Sequence, residues 1–161
     1  MRKFAVLSIC IFWVCCLAAA STASAASAEE AALQVVEKFN EIFNTSDFDQ
    51  MSSLYLHSDK TSAFGPHPMG PFLIQGWDEM KETWKTTPDE PPGTYAASLH
   101  HPKVTLLTDE VAVFTGYMTV LYTDPATKAQ DVGSVRQTFV LQKVDGKWQI
   151  VHNHASFLPT D

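Results

Sequence analysis

Two histidines near the C-terminus are the residues best suited to chemistry. His152 and His154 stand two apart in a run rich in β-branched and aromatic residues, so both rings would project from the same face of a strand, about 7 Å apart. An imidazole titrates near neutral pH and can act as a general acid or base. The spacing leaves three functions open: proton transfer centred on His154, polar binding of a ligand, or a hydrogen bond that only fixes the strand end.

A His-x-His pair can also supply half of a zinc or copper site. Such a site needs one or two further ligands, for which His57, His67 and the acidic residues are candidates. No spacing brings a third ligand to the pair, and all three cysteines precede residue 17. The P-loop, dinucleotide-binding and serine-elbow motifs do not occur in the sequence. We therefore predict neither a bound metal nor another cofactor.

The dipeptide Asp145-Gly146 predicts how these histidines are placed in a sheet. It stands between two strand-like runs and is the strongest short hairpin signal, because both central residues of a type I′ turn need positive φ. A two-residue turn sets Phe139 opposite His152 and Gln137 opposite His154. These four side chains are then predicted to share one face.

A ligand pocket is predicted on this face. Tyr55 is the helix-side residue whose hydroxyl could assist His154 and His152. Arg136 is predicted on the opposite face, in a dimer contact or a surface ion pair, unless a bulge turns it into the pocket. The predicted ligand-binding residues are Phe139, Met118, Gln137 and Trp148 from the strands, with Phe64 and Trp77 from the helical side.

The order of elements predicts one α+β domain. Apolar residues at helical spacing indicate an amphipathic helix over residues 31–44, a short helix near Asp47 and a third after Gly76. The proline- and glycine-rich residues 65–71 are expected to form a loop. Runs rich in Val, Thr, Phe and Tyr follow from residue 103 to 157, so a curved antiparallel sheet is expected to wrap the N-terminal helices.

The N-terminus has the pattern of a secretory signal peptide. Two basic residues precede an uncharged apolar run over residues 4–20, and small residues follow. Cleavage is expected after Ala25, which leaves Ser27 to cap the first helix in an S-x-x-E box, or else after Ala28. The prediction is a signal peptide over 1–25 and one domain over 26–161, with its core at about 31–157, exported to the periplasm or the external medium.

Export would change both the charge and the redox chemistry of the chain. The signal contains all three cysteines and two of the 11 basic residues, so nine basic and 18 acidic residues remain, a net charge of −9. Such a chain is a poor partner for nucleic acid or an anionic membrane surface. Its stability has to come from a packed core, because no cysteine remains for a disulfide.

The closing run resembles the last strand of the SnoaL-like branch of the nuclear transport factor two-like superfamily. The resemblance is carried by the pattern Gly-x-Trp-x-x-x-His-x-His-x-Ser over residues 146–156, which is also similar to the association domain of calmodulin-dependent kinase. It implies a cone-shaped α+β fold with a cavity between sheet and helices, and frequent homodimerisation through the sheet. Met118 and Phe139 stand where the kinase domain has cavity arginines, which argues against carboxylate binding of that type.

The resemblance implies a fold but no single activity, since relatives include isomerases, cyclases, dehydratases and association domains. One hypothesis is an exported domain that holds a small apolar or mixed-polarity ligand and could catalyse a cofactor-free proton transfer. The alternative is a non-catalytic dimeric binding or interaction module with a structural cavity. A desolvated histidine or acid inside an open cavity would favour the enzyme, and a cavity filled by Trp148, Phe139 and Met118 would favour the module.

Overall fold

The computed structural model describes residues 27–45, 47–67, 70–86 and 94–158. The predicted signal peptide and its Ala25 cleavage site lie outside these residues. Three segments of the described chain are helical: α1 (27–43), α2 (Phe48–Ser52) and α3 (Trp77–Thr86). The helices predicted after Asp47 and after Gly76 are thus confirmed. Ser27, the predicted cap residue, is helical and is the first of the described residues.

The strands form one six-stranded sheet in the order β2-β1-β6-β5-β4-β3. All neighbours run antiparallel except β1 and β6, which are parallel. The α+β class and the curved sheet beside N-terminal helices are confirmed. The strand bounds are β1 (Ser62–His67), β2 (Gly70–Gln75), β3 (Tyr95–Thr108), β4 (Val111–Thr123), β5 (Gln130–Val144) and β6 (Lys147–Phe157).

The prediction of a loop over residues 65–71 was wrong, because most of this segment forms the hairpin of β1 and β2. Pro66 pairs directly with Pro71, so neither residue can donate a backbone hydrogen bond to the other. The hairpin tolerates them because β6 pairs with β1 only from Ser62 to Phe64, while β2 lies at the sheet edge. Prolines are compatible with strands at such edge positions.

The core lies between the helices and one side of the sheet, which we call the inner face. Phe39 of α1 packs edge-on against Phe139 of β5, with ring centroids 4.9 Å apart. Phe114 of β4 lies beside Phe139 at 5.7 Å. Burial alternates along β5, where Val135, Gln137, Phe139 and Leu141 are buried. The opposite side of the sheet, called the outer face, therefore carries the residues between them.

Gly116 is required by close packing in β4. A methyl group at this position would come within 2.7 Å of Phe114 Cζ and 3.2 Å of the His100 carbonyl oxygen. We expect Gly116→Ala to lower the free energy of unfolding by about 1–3 kcal/mol in urea denaturation, because the buried Phe114 ring would have to leave its packed position.

Gly133→Ala in β5 is the matched control, since its methyl group would meet Phe157 at 3.5 Å, an ordinary contact. Equal stability of the two variants would contradict the packing described for Gly116.

Candidate functional site

The hairpin of β5 and β6 follows the predicted register only near its turn. Val144 pairs with Lys147 and Leu141 with Ile150, as the Asp-Gly turn requires. A bulge follows, because the next pair is Val140 with His152. The extra residue is Val151, and one extra residue reverses the face of every side chain beyond it.

This bulge lies where β6 changes its neighbour on the other side. Ile150 exchanges backbone hydrogen bonds with the segment after α2, donating to the Leu54 carbonyl at 2.8 Å and accepting from Leu56 N at 2.9 Å. From His152 onward β6 pairs with β1 instead. The single β6 edge is thus shared by two segments of chain, and the irregularity falls between them.

The prediction that His152 and His154 share a face with Phe139 and Gln137 was therefore wrong. His152 pairs with Val140 and His154 with Thr138, on the outer face. Asn153 pairs with Phe139 and takes the inner position instead. The catalytic roles suggested for the two histidines stay predictions, but neither ring lies on the face that packs against the helices.

The outer face around the histidines is partly apolar. His152 Nδ1 and Ser62 Oγ are 2.9 Å apart, and the His154 ring lies 5.3 Å from the ring of Phe64. Phe64, predicted as part of the helix-side wall of the pocket, is 45% exposed. That placement was wrong, because Phe64 pairs with His154 and directly paired residues share a face.

The inner face holds a chain of three hydrogen-bonding side chains, which we call the interior polar row: Tyr55, Asn153 and Gln137. The Asn153 amide nitrogen donates to the Tyr55 hydroxyl at 3.3 Å. Gln137 Nε2 donates to Asn153 Oδ1 at 2.7 Å. The row connects the chain after α2 to β6 and β5 through the core, so it joins the helical layer to the sheet.

One end of this row has no partner among the described residues. Gln137 is 3% exposed, and its Oε1 accepts no hydrogen bond from the described chain. A buried acceptor without a donor costs about 1–3 kcal/mol, so a donor from outside the described residues is expected at this oxygen. Asn153, the next residue of the row, is only partly buried.

Tyr55 is buried, and its hydroxyl is placed to bind rather than to ionise. Burial raises the pKa of the Tyr55 phenol above its ordinary value, and the Asn153 hydrogen bond opposes the shift only in part. The ring packs against Trp84 and Phe39 at 5.4 and 6.4 Å. Tyr55 therefore does reach the interior, as predicted, but it contacts Asn153 and not His154.

The other predicted pocket residues fall into two groups. Met118, Phe139 and Trp148 are buried on the inner face with Gln137. Trp77 lies on α3, where its ring stacks on that of His57 with centroids 3.8 Å apart.

Arg136 is on the outer face, as predicted. It is exposed and donates to the Phe157 carbonyl at 3.2 Å. The bulge lies in β6 and leaves the orientation of Arg136 unchanged.

A second polar contact ties α1 to the start of β3. Asn44 Oδ1 accepts from Ala97 N at 2.6 Å, and Asn40 Nδ2 donates to the Ala97 carbonyl at 3.2 Å. Asn40 Oδ1 is buried without a partner among the described residues. Neither these two asparagines nor Asn153 could be predicted from the sequence, since an amide side chain in an amphipathic helix or a strand has no distinguishing pattern.

The described residues contain no group of three or more His, Cys, Asp or Glu side chains that could hold a metal ion. The side chain of His67, one of the candidate ligands, lies outside the described part of the chain. In the same described ranges, no helix has the length and apolar character that a membrane span requires.

The environment of His152 predicts a pH dependence. Partial burial lowers the pKa of His152, and neighbouring His154 lowers it further. Folding then favours the neutral ring, so this contribution to stability is present above the unfolded pKa of about 6.5 and is lost as the pH falls through the folded value. His152→Gln should reduce the fall in Tm between about pH 7 and pH 5. His100→Gln, at an exposed position of β3, is the control, and equal pH profiles for His152→Gln and wild type would contradict the prediction.

Solved structures share this fold at low sequence identity. The CaMKII hub homology domain from Chlamydomonas reinhardtii is 24% identical, with a TM-score of 0.65 over 83% of this chain and 99% of that one. An NTF2-like superfamily protein from Salmonella enterica is 18% identical, with a TM-score of 0.69 over 84% and 94%. A ketosteroid isomerase-like protein from Erwinia carotovora is also 18% identical, with a TM-score of 0.64 over 82% and 97%.

A search of curated proteins found no match to the sequence. The SnoaL-like domain family matches residues 32–160, which include the interior polar row and all six strands. The chain therefore belongs to the SnoaL-like domain family.

Proposed function

We propose that this SnoaL-like domain is exported and binds a small, mostly apolar molecule between the helices and the inner face of the sheet. The observation that carries the proposal is the interior polar row, which ends in a buried acceptor, Gln137 Oε1, that has no donor in the described chain. A pocket of this kind orients its ligand with a few polar groups set in an apolar wall. Phe139, Phe114 and Met118 supply that wall.

The composition of the inner face favours binding over proton transfer. The buried polar side chains of the described residues are Thr61, Thr94 and Gln137, none of which titrates near neutral pH. The Tyr55 phenol is held protonated by its burial. A general acid or base needs a pKa near the working pH, so the interior polar row is suited to hold a ligand and not to move its protons.

A second proposed property is self-association through the outer face. Phe64, Leu73 and Tyr117 are large apolar side chains exposed to solvent, and all three belong to the sheet. Phe64 and Leu73 are directly paired. The hub and association domains named for similar structures are consistent with contacts between copies of such a domain. This surface is separate from the interior polar row, so the two properties can coexist in one molecule.

Native mass spectrometry of the protein isolated from its source without denaturant tests ligand binding. We expect a mass above that of the polypeptide, lost on collisional activation. Asn153→Leu removes both hydrogen bonds of the row and should reduce the bound fraction strongly, because its two buried partners lose their contacts. His154→Leu, one residue away on the outer face, should leave the bound fraction unchanged. Absence of any bound molecule in wild type, or its loss in His154→Leu alone, would contradict the proposal.

A further inference from the structure

The chemistry of the interior polar row limits which molecules it can accept. On the basis of the proposed function, we infer that the ligand is an uncharged molecule with an apolar body and one hydroxyl group. This hydroxyl hydrogen-bonds to the free end of Gln137. Three features of the described residues support this ligand class: the charge of the interior, the direction of the hydrogen bonds in the row, and the wall beside Gln137.

The interior offers no partner for a charge. None of the buried polar or charged side chains of the described chain is Lys, Arg, His, Asp or Glu. An ionised carboxylate or ammonium moved into such a site loses its hydration and finds no ion to pair with. Charged ligands are therefore excluded from this site at any pH at which they ionise in water.

The direction of the hydrogen bonds in the row favours a hydroxyl group in particular. In the arrangement described above, Gln137 Nε2 donates to Asn153, so the free atom is the acceptor Oε1. The reverse arrangement, in which the Tyr55 hydroxyl donates to Asn153 and Asn153 donates to Gln137, would expose Nε2 instead. A hydroxyl can donate to Oε1 and can accept from Nε2, so it fits the row in both directions.

The wall beside Gln137 is apolar, because the residue of β4 that pairs with Gln137 has no side chain. Gln137 pairs with Gly116 of β4, and the ring of Phe114 lies over this glycine. Phe139, two residues along β5 on the same face, is 1% exposed. The group attached to the ligand hydroxyl therefore meets aromatic carbon.

Binding of matched probes to the protein tests this inference. The one-ring set is benzyl alcohol, toluene and benzoate, and the two-ring set is 2-naphthalenemethanol, 2-methylnaphthalene and 2-naphthoate. Each set shares one apolar body and differs only in its polar group. Dissociation constants come from titrations followed by ¹H–¹⁵N spectra, in which the Gln137 side-chain amide is identified by its absence in Gln137→Leu.

For the ring size that fits, we expect the alcohol to bind about tenfold more tightly than the hydrocarbon, the value of one buried hydrogen bond. The carboxylate at about pH 8 should bind more weakly than either. Gln137→Leu should raise the Kd of the alcohol to that of the hydrocarbon. Thr138→Val, the next residue of β5 but on the outer face, should leave all three values unchanged.

The possible failures are distinguishable. If no probe of either size binds, the interior site itself is contradicted, and with it the proposed function. If alcohol and hydrocarbon bind equally, or if Gln137→Leu leaves the difference between them intact, a pocket exists but the hydroxyl inference is overturned. Preferential binding of the carboxylate overturns it as well.

Discussion

Replacing Phe139 by alanine should lower the free energy of unfolding by about 3–5 kcal/mol. The Phe139 ring is 1% exposed and lies between Phe39 of α1 and Phe114 of β4, at 4.9 and 5.7 Å. Its removal takes away the contact that joins the first helix to the middle of the sheet and leaves a cavity that neither aromatic neighbour can fill completely. Chemical denaturation followed by circular dichroism measures the loss.

Leu107→Ala is the matched control for this prediction. Leu107 also lies on a strand but is 62% exposed, so its truncation should change stability by less than about 0.5 kcal/mol. A loss of similar size in both variants would mean that Phe139 is not the centre of the core, and that the inner face is not the packed side of the sheet.

Replacing Gln137 by glutamate should make stability strongly dependent on pH. The introduced carboxyl would lie in the buried interior, where its pKa rises well above about 4.3 because the described inner face offers no positive charge. The folded state then favours the protonated form, so stability is retained at low pH and lost as the pH rises toward the folded pKa. At about pH 8 the loss can reach about 5 kcal/mol, which corresponds to 1.36 kcal/mol for each of about 3.7 pH units.

Gln130→Glu is the control for the charge alone. Gln130 begins the same strand at an exposed position, so an added carboxylate there should leave the pH dependence of unfolding near that of wild type. Equal stability of Gln137→Glu at about pH 4 and about pH 8 would show that the residue contacts water or a positive charge. It would also remove the reason for excluding charged ligands.

Apart from the β1–β2 hairpin, the elements of the fold could be predicted because they have strong local signals. Asp47 precedes α2 and its side chain accepts from Gln50 N at 3.0 Å, the contact that an N-cap residue makes. Asp145 and Gly146 both adopt positive φ, at 51° and 79°, as an Asp-Gly hairpin turn requires. These features depend on neighbouring residues only, so the sequence contains the information needed to place them.

The site could not be predicted in the same way, because it depends on pairing between distant segments. The bulge at Val151 falls where β6 changes partner from the chain around Leu54 to β1. Nothing within the β6 sequence indicates which segments will lie along its edge. The single extra residue of this bulge, which was not predicted, places Asn153 instead of His154 on the inner face.

The functional consequence of that exchange is large. Histidines on the inner face would have supported proton transfer, whereas Asn153 supports only hydrogen bonding, since an amide does not titrate. The residues predicted from the alternation of β5 alone, Gln137 and Phe139, kept their faces because β5 has no extra residue within this pairing. Site residues on a strand can thus be predicted only as far as the nearest irregularity of its pairing.

The most direct test of this account is a set of nuclear Overhauser measurements on the rings and side-chain amides of β6. We expect contacts from the Asn153 amide protons to the Tyr55 ring, since the donor and the hydroxyl oxygen are 3.3 Å apart. We also expect contacts from the His154 ring to the ring of Phe64, at 5.3 Å between centroids. Contacts from His154 to Phe139 or Tyr55 would place the histidines inside and would contradict the interior polar row as the site.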